Sequence, residues 1–135
     1  MKIHSEQEML NFGRDFVHNL KPGQNLIELI GDVGAGKTTF TRGLAEGLDI
    51  KEPITSPSFT ISKTYALPSG GNLIHYDFYR LSDPGLMLDD LTENLSDPEN
   101  IIIVEWADTV KNFLPENRLK IEIKYLEDGG REVIL

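Results

Sequence analysis

Between residues 26 and 48 the chain passes from an apolar stretch through a glycine-rich turn into an amphipathic stretch, and few folds accommodate that order. Leu26, Ile27, Glu28, Leu29 and Ile30 read as a strand. Gly31, Asp32, Val33, Gly34, Ala35, Gly36, Lys37 and Thr38 match G-x-x-x-x-G-K-[ST]. Phe40, Leu44 and Leu48 then recur at i, i+4 and i+8, which predicts a helix from Lys37 to about Leu48. Gly43 and Gly47 each cost that helix roughly 1 kcal/mol against alanine, and their lack of a side chain would let it pack close to a sheet.

Each part of the turn has a physical task. Glycine permits positive φ and lets backbone approach a ligand without a Cβ in the way. Successive N–H groups can then form a nest for an anion, to which the helix start adds its positive dipole end. Lys37 reaches β and γ phosphates in such a loop, and the Thr38 hydroxyl is the expected magnesium ligand. Thr39 either contacts the α-phosphate or supports Thr38. A glycine-rich turn that binds nothing could share these letters, but the strand before and the helix after are the context a phosphate loop needs. The expected ligand is a nucleoside triphosphate with Mg2+.

A nucleotide hydrolase also needs a carboxylate to hold magnesium and to orient the attacking water. Glu105 ends the apolar run Ile101, Ile102, Ile103, Val104, and Asp77 follows Leu73, Ile74, His75 and Tyr76. Either is a functional carboxylate or a solvated strand end or structural ion pair, and either could orient the water. Thr55, Ser56, Ser58 and Thr60 lie in a hydroxyl-rich loop over residues 52–60, read equally as a γ-phosphate-sensing switch or a polar surface turn. His75 reads as structural rather than as a base. His4, His18 and His75 have no metal-ligand spacing. Trp106 is a core or partner-facing aromatic. The chain has no N-K-x-D and no D-x-x-G, which disfavours a GTPase, and little room for the inserted segments of a nucleotide kinase.

Elsewhere, residues 5–20 predict a helix with Ser5 as N-cap and Glu8 at capping-box spacing, ended by Pro22 and Gly23. Residues 61–67 and 73–81 predict strands joined by a turn at 68–71, residues 86–95 a short helix, and residues 101–106 a buried strand. Residues 119–125 alternate perfectly and predict a half-exposed strand, returned by a turn at 127–130 into residues 131–135.

Composition narrows the function. The 135 residues fit one domain, able to bury roughly 68% of its unfolded surface. With no cysteine, disulfides, thiol catalysis and cysteine-bound zinc are excluded. The first eight residues are too polar for a signal peptide, and no apolar run approaches the ~20 residues of a membrane helix; the reading is cytoplasmic, with no membrane association. The net charge is −9, from 13 basic and 22 acidic residues with no basic cluster. Stable direct binding to nucleic acid is therefore disfavoured, and a protein partner fits any such connection better.

The ordered blocks resemble one family. Residues 31–43 are similar to the loop of bacterial TsaE proteins. The likeness continues through Thr55, Ser56, Pro57, Ser58, Phe59 and Thr60, then His75, Tyr76, Asp77, Phe78, Tyr79, Arg80 and Leu81. Val104, Glu105 and Trp106 follow, and Gly130, Arg131 and Glu132 close the series. The resemblance implies an α/β, P-loop NTPase-like three-layer fold, with a mainly parallel central sheet and antiparallel edge strands. It implies one Mg-dependent ATPase domain over residues 1–135, slow alone and stimulated by partners. It implies a role in threonylcarbamoyl modification of adenosine 37 in tRNA, through the transferase TsaD and its companion TsaB rather than by transferring the group. The alternatives to that reading are a small-molecule kinase and a nucleotide-gated binding module without significant turnover. By position, the resemblance implies that Thr38 and Glu105 hold magnesium and that Lys37 and Asp77 serve catalysis. Trp106 would lie beside the site and Glu6 would face the adenine or ribose, with Val33, Gly34, Ala35, Gly36, Lys37, Thr38 and Thr39 around the phosphates. Met9 stands where the family usually carries Thr, and residues 84–91 lack the family's run of glutamates before a glycine.

Overall fold

The computed structural model describes residues 1–21, 23–32, 34–57, 61–79 and 85–135. Seven strands form one sheet: β1 (Lys2–Ile3), β2 (Leu26–Ile30), β3 (Ser62–Ala66), β4 (Asn72–Asp77), β5 (Ile101–Glu105), β6 (Leu119–Tyr125) and β7 (Arg131–Ile134). Their spatial order is β1-β7-β6-β2-β5-β4-β3. The four inner strands are parallel to one another, and the β1–β7, β7–β6 and β4–β3 pairs are antiparallel. Among the described residues three α-helices join them: α1 (Glu6–Phe16), α2 (Lys37–Gly47) and α3 (Gly85–Leu95). The expected α/β architecture with a parallel centre is therefore present. After β2 the chain builds β4 and β5 on one side and β6 on the other, so β2 marks the switch point where α/β sheets bind ligands.

Strand alternation divides the core into two layers. Ile27, Leu29, Leu73, Ile103, Ile121 and Ile123 face α1 and α2, where Phe12, Phe16 and Phe40 meet with ring centroids 5.6–5.9 Å apart. Leu26, Ile74, Tyr76, Ile102 and Val104 face the other way, packing with Leu91 of α3 and with Val110 and Leu114. The Tyr76 hydroxyl donates to Asp90 at 2.6 Å and accepts from Asn94 at 2.7 Å, tying β4 to α3. Burial, then the Asp90 carboxylate, push the Tyr76 phenol well above its ordinary pKa.

Several element ends differ from the sequence reading. The first helix stops at Phe16 and continues as a 3-10 turn through Val17–Asn19; Pro22 lies outside the described residues. Ser5 caps α1 by accepting from Glu8 N–H at 3.1 Å, but Glu8 returns its carboxylate to His4 N–H rather than to Ser5. The β4 strand ends at Asp77 and not near residue 81, because Tyr79 N–H turns back to Asp77 Oδ1 at 2.9 Å. Trp106 has left β5, with φ of 55°. The polar N-terminus supplies β1, too short to show a period of its own.

Gly43 and Gly47 face α1, not the sheet. A Cβ on Gly43 would stand 2.2 Å from Leu10 O, and one on Gly47 2.6 Å from Arg14 O. Gly13 answers from α1, where a Cβ would stand 2.3 Å from Phe40 O. Three glycines thus bring the two helix backbones together. The period-3.6 pattern of α2 locates its buried stripe but does not say which neighbour fills it.

Candidate nucleotide site

The phosphate loop leaves β2 at Gly31 and enters α2 at Lys37. Gly34 has φ of 81° and Gly36 φ of 115°, conformations that a side chain would strain. The loop is braced by the β6–β7 hairpin. Arg131 Nε donates to Ala35 O at 3.0 Å while its guanidinium lies 4.2 Å over the Tyr125 ring. Because the peptide is planar and trans, a carbonyl turned to Arg131 sends Gly36 N–H the opposite way. No side chain caps α2 at Gly36, so the first-turn N–H groups are left to a ligand or solvent.

Lys37 is 6% exposed. Its Nζ donates to Gly31 O at 2.6 Å, lies 3.4 Å from Glu105 Oε1, and sits 4.1 Å from the Trp106 ring centroid. Glu105 ends β5, in register with Leu29 of β2 and Asp77 of β4. Its second oxygen, Oε2, contacts Nε2 of the fully buried His75. Burial would push the Glu105 carboxyl up, but the His75 hydrogen bond and the nearby His75 and Lys37 together hold it below the usual range. Asp77 moves oppositely. Burial raises it, Tyr79 N–H partly offsets this, and neighbouring Glu105 raises it further. Two carboxylates on adjacent strand ends thus differ in proton affinity, the separation that acid–base sites use.

Backbone strain concentrates here. Trp106 and Ile61, both bulky, have φ of 55° and 67°. The Trp106 ring packs 4.7 Å from that of Tyr79. Ile61 O accepts Asp77 N–H at 2.7 Å, which ties Ile61 to the end of the carboxylate strand.

Two clefts meet at the loop. One, about 390 Å³, is lined by Lys37, Thr38, Ser56, Asp77, Glu105 and Trp106 among others. The other, about 340 Å³, is lined by Ser5, Glu6, Met9, Ala35, Thr39 and Arg131 among others. Gly34, Gly36 and Thr39 border both, so the loop is their shared wall. Glu6, which lines the second, pairs with Arg42 at 3.2 Å. A larger cleft, about 660 Å³, lies across β2 and β6 on the sheet face away from α1. Its charges are partly self-neutralised, Arg118 with Glu28 at 2.7 Å and Lys124 with Glu122 at 3.5 Å, and neither cradle glycine, Gly34 or Gly36, borders it.

The family model described as "Threonylcarbamoyl adenosine biosynthesis protein TsaE" matches residues 3–133. The chain belongs to the TsaE family. The Bacillus subtilis protein named tRNA threonylcarbamoyladenosine biosynthesis protein TsaE is 44% identical over 118 residues, 84% of this chain and 69% of that one. The Streptomyces coelicolor protein of the same name is 40% identical over 116 residues, 85% of this chain and 78% of that one. The crystal structure of Bacillus subtilis YdiB matches with a TM-score of 0.78 at 35% identity, covering 98% of this chain and 80% of that chain.

The TsaE blocks are far apart in sequence yet converge in space. Lys37, Thr38, Asp77, Glu105 and Trp106 surround one cleft, and Glu6 reaches the neighbouring one across Gly36 and Thr39. Val33, Ser58, Thr60, Arg80 and Leu81 lie outside the described residues. Thr55 turns to Lys63, whose Nζ donates to its hydroxyl, whereas Ser56 faces the cleft. Three contributors have no site role in the sequence reading, although His75 and Arg131 stand in its family blocks. Tyr125 and Arg131 brace the loop, and His75 reaches the site through Glu105. His75 had two readable signals: it opens the block that runs to Leu81, and it is two residues from Asp77 on a strand, hence on the same face.

Proposed function

We propose that this TsaE-family protein binds ATP with Mg2+ and hydrolyses it slowly, servicing the complex that forms threonylcarbamoyladenosine at adenosine 37 of tRNA. The observation that carries this reading is the gathering of Lys37, Thr38, Asp77 and Glu105 around one cleft at the uncapped start of α2. Uncapped amides, a positive dipole end and a buried ammonium suit a polyphosphate. Val33, Gly34, Ala35, Gly36, Lys37, Thr38 and Thr39 would surround it, and the second cleft, with Glu6, would take the nucleoside.

The donor set suits magnesium. Thr38 and Glu105, which both line one cleft, offer hard oxygen ligands. Among the described residues no three His, Asp or Glu side chains converge on one point, so phosphate oxygens and water would complete the shell. Bound there, Mg2+ would neutralise charge on the phosphate oxygens. Lys37 would exchange Gly31 O and Glu105 for β and γ oxygens. Asp77, with its raised proton affinity, would orient a water on the γ-phosphorus and receive its proton as the bond to the β-phosphate oxygen breaks. The products are ADP and inorganic phosphate. Trp106 would line the site beside Lys37.

The partners in this reading are TsaD and TsaB, with tRNA reached only through them in the cytoplasm. The net charge of −9 supports indirect contact with tRNA. No helix among the described residues is long and apolar enough to cross a membrane. The test is ATP turnover with and without the TsaD–TsaB pair, beside a pull-down of that pair. Lys37→Ala should abolish turnover and weaken nucleotide-dependent assembly. Asp77→Ala should spare ATP binding and slow release of phosphate. Phosphate delivered to a small acceptor would indicate a kinase, and binding without single-turnover hydrolysis a nucleotide-gated module.

A further inference from the structure

We propose that His75 is a positioning residue that locks one oxygen of Glu105 so that the other is presented to the magnesium shell. The proposal rests on the ATPase reading of the cleft and adds to it a residue that never touches nucleotide.

His75 sits mid-way along β4 with 0% exposure, between apolar Ile74 and Tyr76 and level with Ile103 of β5 and Lys63 of β3. Its Nε2 meets Glu105 Oε2, and its buried Nδ1 has no hydrogen-bond partner among the described residues. Among the described residues the ring makes one hydrogen bond, and that bond goes to the carboxylate of the candidate site. An ionised carboxylate only accepts, so Nε2 carries the hydrogen. A buried polar ring with an unsatisfied nitrogen costs stability, and an apolar side chain of similar volume would fill the position without that cost. Packing alone gives no reason for histidine here, whereas orientation of Glu105 does.

The two carboxylate oxygens have separate tasks. Oε1 faces Lys37 Nζ at 3.4 Å and Oε2 is held by His75. When Lys37 turns to phosphate, Glu105 loses its cationic partner while remaining 4% exposed. The His75 bond then keeps the carboxylate from rotating and keeps Oε1 on the cleft side. This is the arrangement in which outer-shell partners orient a ligand, and removing one typically costs about 10–100-fold in metal affinity or activity.

The test compares His75→Gln with His75→Asn, alone and with Glu105→Gln, in the full chain. Both variants place an amide in the same pocket, but only glutamine reaches far enough to donate from near the Nε2 position. The readouts are the Mg2+ concentration for half-maximal ATP turnover and ADP affinity measured with Mg2+ and with EDTA. His75→Asn should raise the Mg2+ requirement about tenfold and leave ADP affinity in EDTA within about twofold, and His75→Gln should restore most of the loss. In the Glu105→Gln background the two should be indistinguishable. Equal Mg2+ dependence of the Asn and Gln variants, or an undiminished difference without Glu105, would overturn the proposal. If the wild-type protein hydrolyses no ATP, the ATPase reading fails by itself, and the Mg2+ dependence of ADP binding still decides the role of His75.

Discussion

Replacing Gly43 by alanine sets two rules against each other. Helix propensity favours alanine by about 1 kcal/mol. The added methyl, however, would stand 2.2 Å from Leu10 O and 3.0 Å from both Leu10 C and Leu10 Cα, all of them backbone. Ordinary C···O approaches are ~3.3 Å, so α1 and α2 must part by about 1 Å. That movement loosens the Phe12, Phe16 and Phe40 cluster between them, and overpacking of this kind costs ~1–3 kcal/mol. The clash outweighs the propensity. The expected net loss is up to about 2 kcal/mol, a fall of up to several degrees in Tm for a domain of this size. Thermal melting followed by circular dichroism measures it. Nucleotide affinity should fall too, because Ser5, Glu6 and Met9 at the start of α1 form one wall of a cleft whose other wall is the phosphate loop. Gly13→Ala acts on the same contact, so the double variant should lose less than the sum of the singles. A Gly43→Ala protein that melts at or above wild type would refute the close-approach argument.

Further outcomes follow from the same geometry. Asp77 has a raised pKa, so its contribution to stability is present below about pH 4 and is lost as pH rises through the folded value; Asp77→Asn should therefore raise Tm at pH 7, with a smaller gain near pH 4 in paired melts. Trp106 is the one tryptophan, with Lys37 4.1 Å over its ring; ATP should change its emission, and Lys37→Ala should remove the change. Arg131→Ala frees the Ala35 carbonyl, and loss of that hydrogen bond, about 1 kcal/mol, should weaken ADP binding several-fold by calorimetry, with no rescue by lysine, which lacks the planar fork.

The legible parts of this protein were those written in local period or fixed spacing. The bounds of β2 and β6 agree with the sequence reading because their apolar runs are bracketed by glycine or polar turns. The phosphate loop is a contiguous pattern, and Glu105 and Asp77 stand out as carboxylates ending apolar strands. Three things were not legible because they depend on which elements meet. The partner of Gly43 required knowing that α1 lies across α2. Arg131 lies 96 residues beyond Ala35 and brings only a side chain to the loop. His75 reads as a buried histidine until β5 is placed beside β4, after which its hydrogen bond to Glu105 defines it.

The site depends on strand parity as much as on residue identity. Leu29, Asp77 and Glu105 lie on adjacent strands of the parallel centre in register, so the phosphate loop and both carboxylates emerge at one end of the sheet. Side chains alternate faces, and a one-residue slip of β5 would turn Glu105 towards the α3 layer and bring Val104 or Trp106 to the Lys37 side. The left-handed turn at Trp106 ends the strand immediately after Glu105, and Phe78 N–H donates to Glu105 O at 3.1 Å across from β4. The His75 contact then ties the Glu105 side chain to the same strand. Backbone and side chain of Glu105 are thus fixed independently from β4, while Lys37, held by Gly31 O, Glu105 and Trp106, is the group left to exchange partners. In that division a rigid carboxylate and an exchangeable cation share one cleft, and the chemistry proposed for it requires both.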